Sequence, residues 1–288
     1  MNLKYILVSI LIVGMLSACT SDMTPEMMQE RIIQANTNLQ SYSTDMTMKM
    51  DMSTSVQGKP MVITADTTQS GSIDRKNKKL FMKGSTKTSF SGMKLDMATE
   101  TYIVDDFVYV KVMDNWMKMQ IQNELWNQQD HIKQTTGLLE TGTIDVLPEE
   151  EMDGMSYYVF AIQPDMKKVV EIALKSQEQS EVLDEHIDFA DMVRKYTATI
   201  YVNKKTFVIE RQKIDMRLVM TAENMGKNMI NSSDITMDTV IDAKMYDINK
   251  KVTITLPEEA LGAQDYSKVK GYSGSNSITG NVISDTFN

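Results

Sequence analysis

The chain has 288 residues, 42% hydrophobic and 24% charged, with a formal net charge of −9 and a pI near 4.9. An acidic chain lacks the basic footprint that displaces counterions from phosphates, which argues against a nucleic-acid partner. One cysteine and two histidines, His131 and His186, exclude a disulfide framework and multi-cysteine metal sites.

At the N-terminus Lys4 supplies a positive charge and Tyr5 to Ala18 is an almost unbroken apolar run. This is the layout of a secretory signal, too short to favour a permanent membrane span. The run ends Leu16-Ser17-Ala18-Cys19, and Cys19 is the only thiol of the chain. The pattern looks like a lipobox, with diacylglyceryl transfer to Cys19 and cleavage between Ala18 and Cys19. Two acyl chains on one cysteine anchor a protein stably to a bilayer. The expected boundaries are residues 1–18 for the signal, 19–261 for the domain and 262–288 for a Gly-, Ser- and Asn-rich tail that reads as disordered.

Thr24-Pro25-Glu26 offers a helix N-cap with proline in the first turn. Met28, Ile32, Ala35 and Leu39 continue at helical spacing. A strict period of two follows. Met46, Met48, Met50 and Met52 alternate with Thr47, Lys49 and Asp51, which places the thioethers on one face of a strand. The alternation returns at Met61-Ile63-Ala65, Leu80-Met82, Met93-Leu95-Met97, Met117-Met119-Ile121, Met216-Leu218-Met220 and Ile235-Met237-Thr239-Ile241. Breaks such as Asp105-Asp106, Asp114-Asn115, Asp153-Gly154 and Gly226-Lys227 mark hairpins.

About eleven strands are predicted. Helices are predicted over Asn123 to Thr136, ending before Gly137, and from an Asp165 cap to about Tyr196, with Ser176 to Ser180 as a candidate break. The fold class is therefore α+β: one antiparallel sheet with segregated helices.

Five landmarks, in order, resemble the LolA/LolB-like lipoprotein carrier superfamily, with its LppX/LprG-type members and a Met-rich extracytoplasmic branch. The first is a helix running into Leu39-Gln40-Ser41-Tyr42-Ser43 and a long strand. The second is the hairpin Tyr102 to Val110 before Trp116-Met117-Lys118-Met119. Glu151-Met152-Asp153-Gly154 resembles the family's lead-in to a mid-chain strand. Thr199 to Thr206 is similar to its Trp-Ile-Asp-x-x-Thr hairpin, with Tyr201 and Asn203 in place of Trp and Asp. Asp247-Ile248-Asn249-Lys250 precedes a stretch similar to a closing strand ending Leu-Pro-Glu-Glu-Ala. The resemblance spans roughly Glu26 to Leu261. It implies a strongly curved, half-open β-barrel with capping helices over an apolar cavity, holding acyl chains of lipids or lipoproteins.

Twenty-six methionines are the unusual feature of the composition. A flexible, polarizable side chain suits a cavity that accepts irregular apolar ligands, and it equally fills a solid core. The expected ligand-binding set is Met46, Met48, Met50, Met52, Met93, Leu95, Met97, Met117 and Met119. Thioethers also select Cu(I), but the histidines fall in predicted helices and a buried stripe offers poor access to an ion. Asp184, Glu185, His186 and Asp188 read as a solvated helix face. Glu149-Glu150-Glu151 and Glu258-Glu259 lack a cleft partner, and neither a nucleophile elbow nor a phosphate-binding glycine loop occurs.

The expectation is a non-enzymatic lipoprotein without catalytic residues, metal ligands or cofactor. It is extracytoplasmic, anchored to the membrane through Cys19, and binds a lipid or acyl chain as carrier or presenter. The alternative is a cell-surface module that binds another envelope protein or senses envelope state; Cu(I) binding is the third reading.

Overall fold

A computed structural model describes residues 24–56, 59–120, 126, 131–168, 189–221 and 234–265. Helix α1 covers Pro25–Thr37 and starts as the sequence predicts: Thr24 Oγ1 accepts a hydrogen bond from Met27 N, and Pro25 opens the first turn. Nine long strands, two of six residues and one of two residues account for most of the remainder. They are β1 (Ser41–Val56), β2 (Lys59–Asp74), β3 (Lys79–Phe90), β4 (Met93–Val104), β5 (Phe107–Val112), β6 (Asn115–Gln120), β7 (Thr143–Met152), β8 (Met155–Gln163), β9 (Val193–Asn203), β10 (Ile209–Met220), β11 (Ile235–Tyr246) and β12 (Gln264–Asp265).

These twelve strands form one sheet in the order β12-β6-β5-β4-β3-β2-β1-β11-β10-β9-β8-β7. All ladders are antiparallel except the two-residue pairing of β12 with β6. The sheet is curved and unclosed, with edges at β7 and β12. β12 lies inside the stretch expected as tail. Hairpin turns sit where the breaks Asp105-Asp106 and Asp153-Gly154 predict them, and a further turn that the sequence did not mark falls at Ser91-Gly92. Asp105 and Asp106 have φ of 51° and 63°, Ser91 and Gly92 48° and 83°, and Asp153 and Gly154 53° and 74°. Successive positive φ values are those of the turns whose twist matches paired strands, which is why Asp, Ser and Gly occupy them.

Opposed residues in an antiparallel ladder point to the same side, so the printed pairings trace rows across the sheet. One row reads Tyr42, Ile73, Leu80, Ile103, Val108 and Met119 from β1 to β6. Its buried members pack with Leu39 of the α1–β1 link and Ile132 of helix α2 (His131–Thr141). A second cluster joins Ile32 of α1 and Leu139 of α2 to Phe160, Ile162, Ala198 and Ile200 of β8 and β9. Both helices therefore cover the same side of the sheet, its inner face. Gln29 Nε2 donates to Leu139 O, tying α1 to α2, and Thr135 Oγ1 donates to Gln212 Oε1 at 2.9 Å, tying α2 to β10.

Three expectations are corrected. The helix predicted to stop before Gly137 runs through it to Thr141, because a glycine in mid-helix weakens a helix by about 1 kcal/mol without ending it. Where helix was predicted as far as about Tyr196, a four-residue helix covers Phe189–Met192 and Val193 begins β9; the β-branched and aromatic residues there pair with β10. The predicted start agrees, since Asp165 Oδ1 accepts from Lys167 N and Lys168 N. The closing stretch joins no ladder over residues 251–257 and ends in a 3-10 turn, Glu258–Gly262. Residues 169–188, which hold the Asp184–Asp188 cluster, and Gly226-Lys227 lie outside the described residues.

Candidate functional site

The alternation of β1 sets the site. Tyr42 and Thr44 fall under the helices, whereas Met46, Met48, Met50 and Met52 continue the same face beyond the two described helices and are only partly buried. The rows identify their neighbours. Met48 lies in line with Thr67, Thr86 and Met97; Met50 with Ala65, Thr88 and Leu95; Met52 with Ile63, Phe90 and Met93. In the other direction Met48 meets Ile241 and Ile214, Met50 meets Thr239 and Met216, and Met52 meets Met237 and Leu218.

Seven of the nine residues expected to bind ligand thus share the open half of the inner face. Exposure rises toward the β3–β4 turn, with Leu95 at 39% and Met93 at 65%. Met117 and Met119 share the face but not the neighbourhood. They fall in the rows of Thr44 and Tyr42, at the helix-covered end. Sequence reasoning left Met216, Met220 and Met237 out of the set. The same period-two signal marks them, but their proximity to β1 follows from the pairing of β1 with β11.

Across the rows from Tyr42 to Met52, among the described residues, the inner face holds no Asp, Glu, Lys or Arg. Its polar atoms are uncharged. Gln69 and Thr99 share the Met46 row, Thr88 and Thr239 that of Met50, and Thr67 and Thr86 Oγ1 atoms bond each other at 3.0 Å. Tyr196, in the Met50 row, has its hydroxyl pushed up to about 12 by burial.

The opposite face carries the charge. Lys49, Asp66, Lys87 and Asp96 alternate in sign along one row. Arg211 holds Asp242 through two hydrogen bonds at 2.9 and 2.6 Å, and Arg217 holds Asp238 at 2.6 and 3.0 Å. Each guanidinium keeps its carboxylate below the ordinary value. Lys195 and Asp215 form a further ion pair.

Trp116 stands on this outer face, its ring 5.9 Å from that of Tyr102 and 5.6 Å from Lys111 Nζ, while Trp126 packs on the core under the helices. Among the described residues no three His, Cys, Asp or Glu side chains gather as metal ligands, and no helix is long and apolar enough to cross a membrane. Ala18 and Cys19 lie outside the described residues.

Residues 24–265 match the profile of a family of unknown function, DUF6612. No curated protein matches the chain. Among solved structures the chain is similar to the lipoprotein LppX of Mycobacterium tuberculosis, at 13% identity and TM-score 0.40, over 81% of this chain and 100% of that one. It is also similar to LprF from Mycobacterium bovis, at 11% identity and TM-score 0.44, over 81% and 98%. A domain assigned to outer membrane lipoprotein sorting from Vibrio parahaemolyticus is similar at 8% identity and TM-score 0.22, over 81% and 95%.

Proposed function

The chain belongs to the DUF6612 family of unknown function, and from that premise we propose that it is a membrane-anchored extracytoplasmic lipoprotein that binds an apolar ligand noncovalently on its methionine-rich inner face, as carrier or presenter. Residues 1–18 are its signal, Cys19 its acylated anchor, residues 19–261 the binding domain and 262–288 a polar tail. The chemistry is binding and not turnover.

The observation that carries this reading is the half of the inner face outside the two described helices: apolar, partly exposed and, among the described residues, free of charge. Each ligand methylene moved from water onto such a surface gains about 0.8 kcal/mol, so an acyl chain gains enough for stable retention without a single specific contact. Thioether side chains adapt to chains of different shape. Charge selects the head group. An unpaired carboxylate or phosphate placed on this face would meet no countercharge, at a cost of several kcal/mol. The threonine hydroxyls and Gln69 offer hydrogen bonds to an uncharged head. The ligand is therefore a neutral amphiphile, or one whose charged head stays at the rim.

Native mass spectrometry of the full-length chain, extracted from membranes, tests the proposal. A lipid adduct and a diacylated Cys19 are expected, and the double substitution Met48→Asp, Met50→Asp abolishes binding of a fluorescent acyl probe. A wild-type protein that emerges without lipid and binds no probe overturns the carrier reading.

A further inference from the structure

Beyond that reading, we propose that Met237 is the centre of a soft-metal site that takes one Cu(I) ion. Met237 lies directly opposite Met52 of β1 on one side and Leu218 of β10 on the other. Thr239, two residues along β11, is opposed by Met50 and Met216, and Ile235, two residues the other way, is opposed by Met220. Met237 thus has one methionine opposite and three at its diagonals, drawn from three adjacent strands. Opposed Cβ atoms are about 4.5–5.5 Å apart and diagonal ones about 7–8 Å, distances that long side chains bridge. All five point to the inner face, and all five are partly exposed, so an ion has access. The buried stripe expected from the sequence, which denied that access, is not what the fold presents.

The donor set decides the metal. Five neutral thioethers, with no carboxylate or imidazole beside them in these rows, are soft ligands that select Cu(I) and disfavour Zn(II), Mg(II) and Ca(II). Methionine rotates freely about three bonds, so three of the five sulfurs can converge on one ion without moving the backbone. No other place among the described residues offers a competing cluster of His, Cys, Asp or Glu. The assignment rests on the pairing register and not on lipid binding, so either property stands without the other.

The test is anaerobic competition for Cu(I) between the full-length chain in non-ionic detergent and bicinchoninate. Wild type is expected to withdraw one Cu(I) per chain and to show a sulfur-only shell by X-ray absorption. Met237→Leu, which keeps the apolar volume and removes the sulfur, weakens binding about tenfold or more. Met93→Leu, on β4 away from the cluster, leaves affinity unchanged. Met52→Leu repeats the loss should Met237→Leu fold poorly.

A wild type that takes no Cu(I), a shell of nitrogen or oxygen, or equal affinity in wild type and both cluster variants overturns the site. The acyl probe is measured on the same samples. A wild type that binds Cu(I) but no probe sinks the carrier reading alone.

Discussion

Asn36 shows how much one side chain decides. It is fully buried near the end of α1; its Nδ2 donates to Ile32 O at 2.7 Å and Phe207 O at 3.1 Å, and its Oδ1 accepts from Ile209 N at 3.0 Å. A single amide thus pins the first helix to the turn between β9 and β10, some 170 residues away in the chain. Asn36→Ala leaves a buried backbone amide and carbonyl unpaired, and urea denaturation should show a loss of about 2–3 kcal/mol. Nothing in the sequence distinguishes this asparagine from an exposed one.

Tyr196 sets an alkaline limit. Burial pushes its hydroxyl from 10.0 up to about 12, so between those values the unfolded chain releases a proton that the folded chain keeps. Stability therefore falls as pH rises through that window, by about 1.4 kcal/mol per pH unit. In Tyr196→Phe this component is absent, and urea midpoints of wild type and variant should diverge above pH 10 while running parallel below it. Parallel curves throughout would place the hydroxyl in water.

At the scale of the element, β1 and β2 carry the design. A period-two strand leaves no freedom in register, because a slip by one residue would bring Lys49 and Asp51 onto the apolar face. Two glycines with opposite roles follow from where each element packs. Gly71 of β2 faces Met82 across the ladder, and a Cβ there would stand 2.1 Å from Phe81 O and 2.4 Å from Met82 Sδ. Gly71→Ala should destabilise by about 1–3 kcal/mol. Gly137, within α2, has open space around it, and Gly137→Ala should stabilise by about 0.5–1 kcal/mol. Opposite shifts of the thermal midpoint are the expected result. Shifts of the same sign would mean that these contacts are misread.

Over the whole molecule, an unclosed sheet must protect its edges. β7 is an edge strand, exposed along most of its length, and Val146 is 62% exposed. Pro148 withholds a backbone donor and Glu149, Glu150 and Glu151 add like charge, both recognised guards against edge-to-edge pairing. Replacing Pro148, Glu149 and Glu151 by valine should produce concentration-dependent oligomers in light scattering, while wild type stays monodisperse under the same conditions.

The division between sequence and fold follows from the range of the forces involved. Alternation, caps and hairpin turns are local: Met46 to Met52 announce a one-sided strand, Thr24-Pro25 a helix start and Asp153-Gly154 a tight turn, each through contacts spanning a few residues. That was enough to predict an α+β sheet protein with a methionine-lined side. Which strands lie beside which is a matter of closing long loops, and period two is silent on it. Only the tertiary structure brought β11 and β10 against β1, set Met237 among four other thioethers, and consigned Met117 and Met119 to the covered end of the same face.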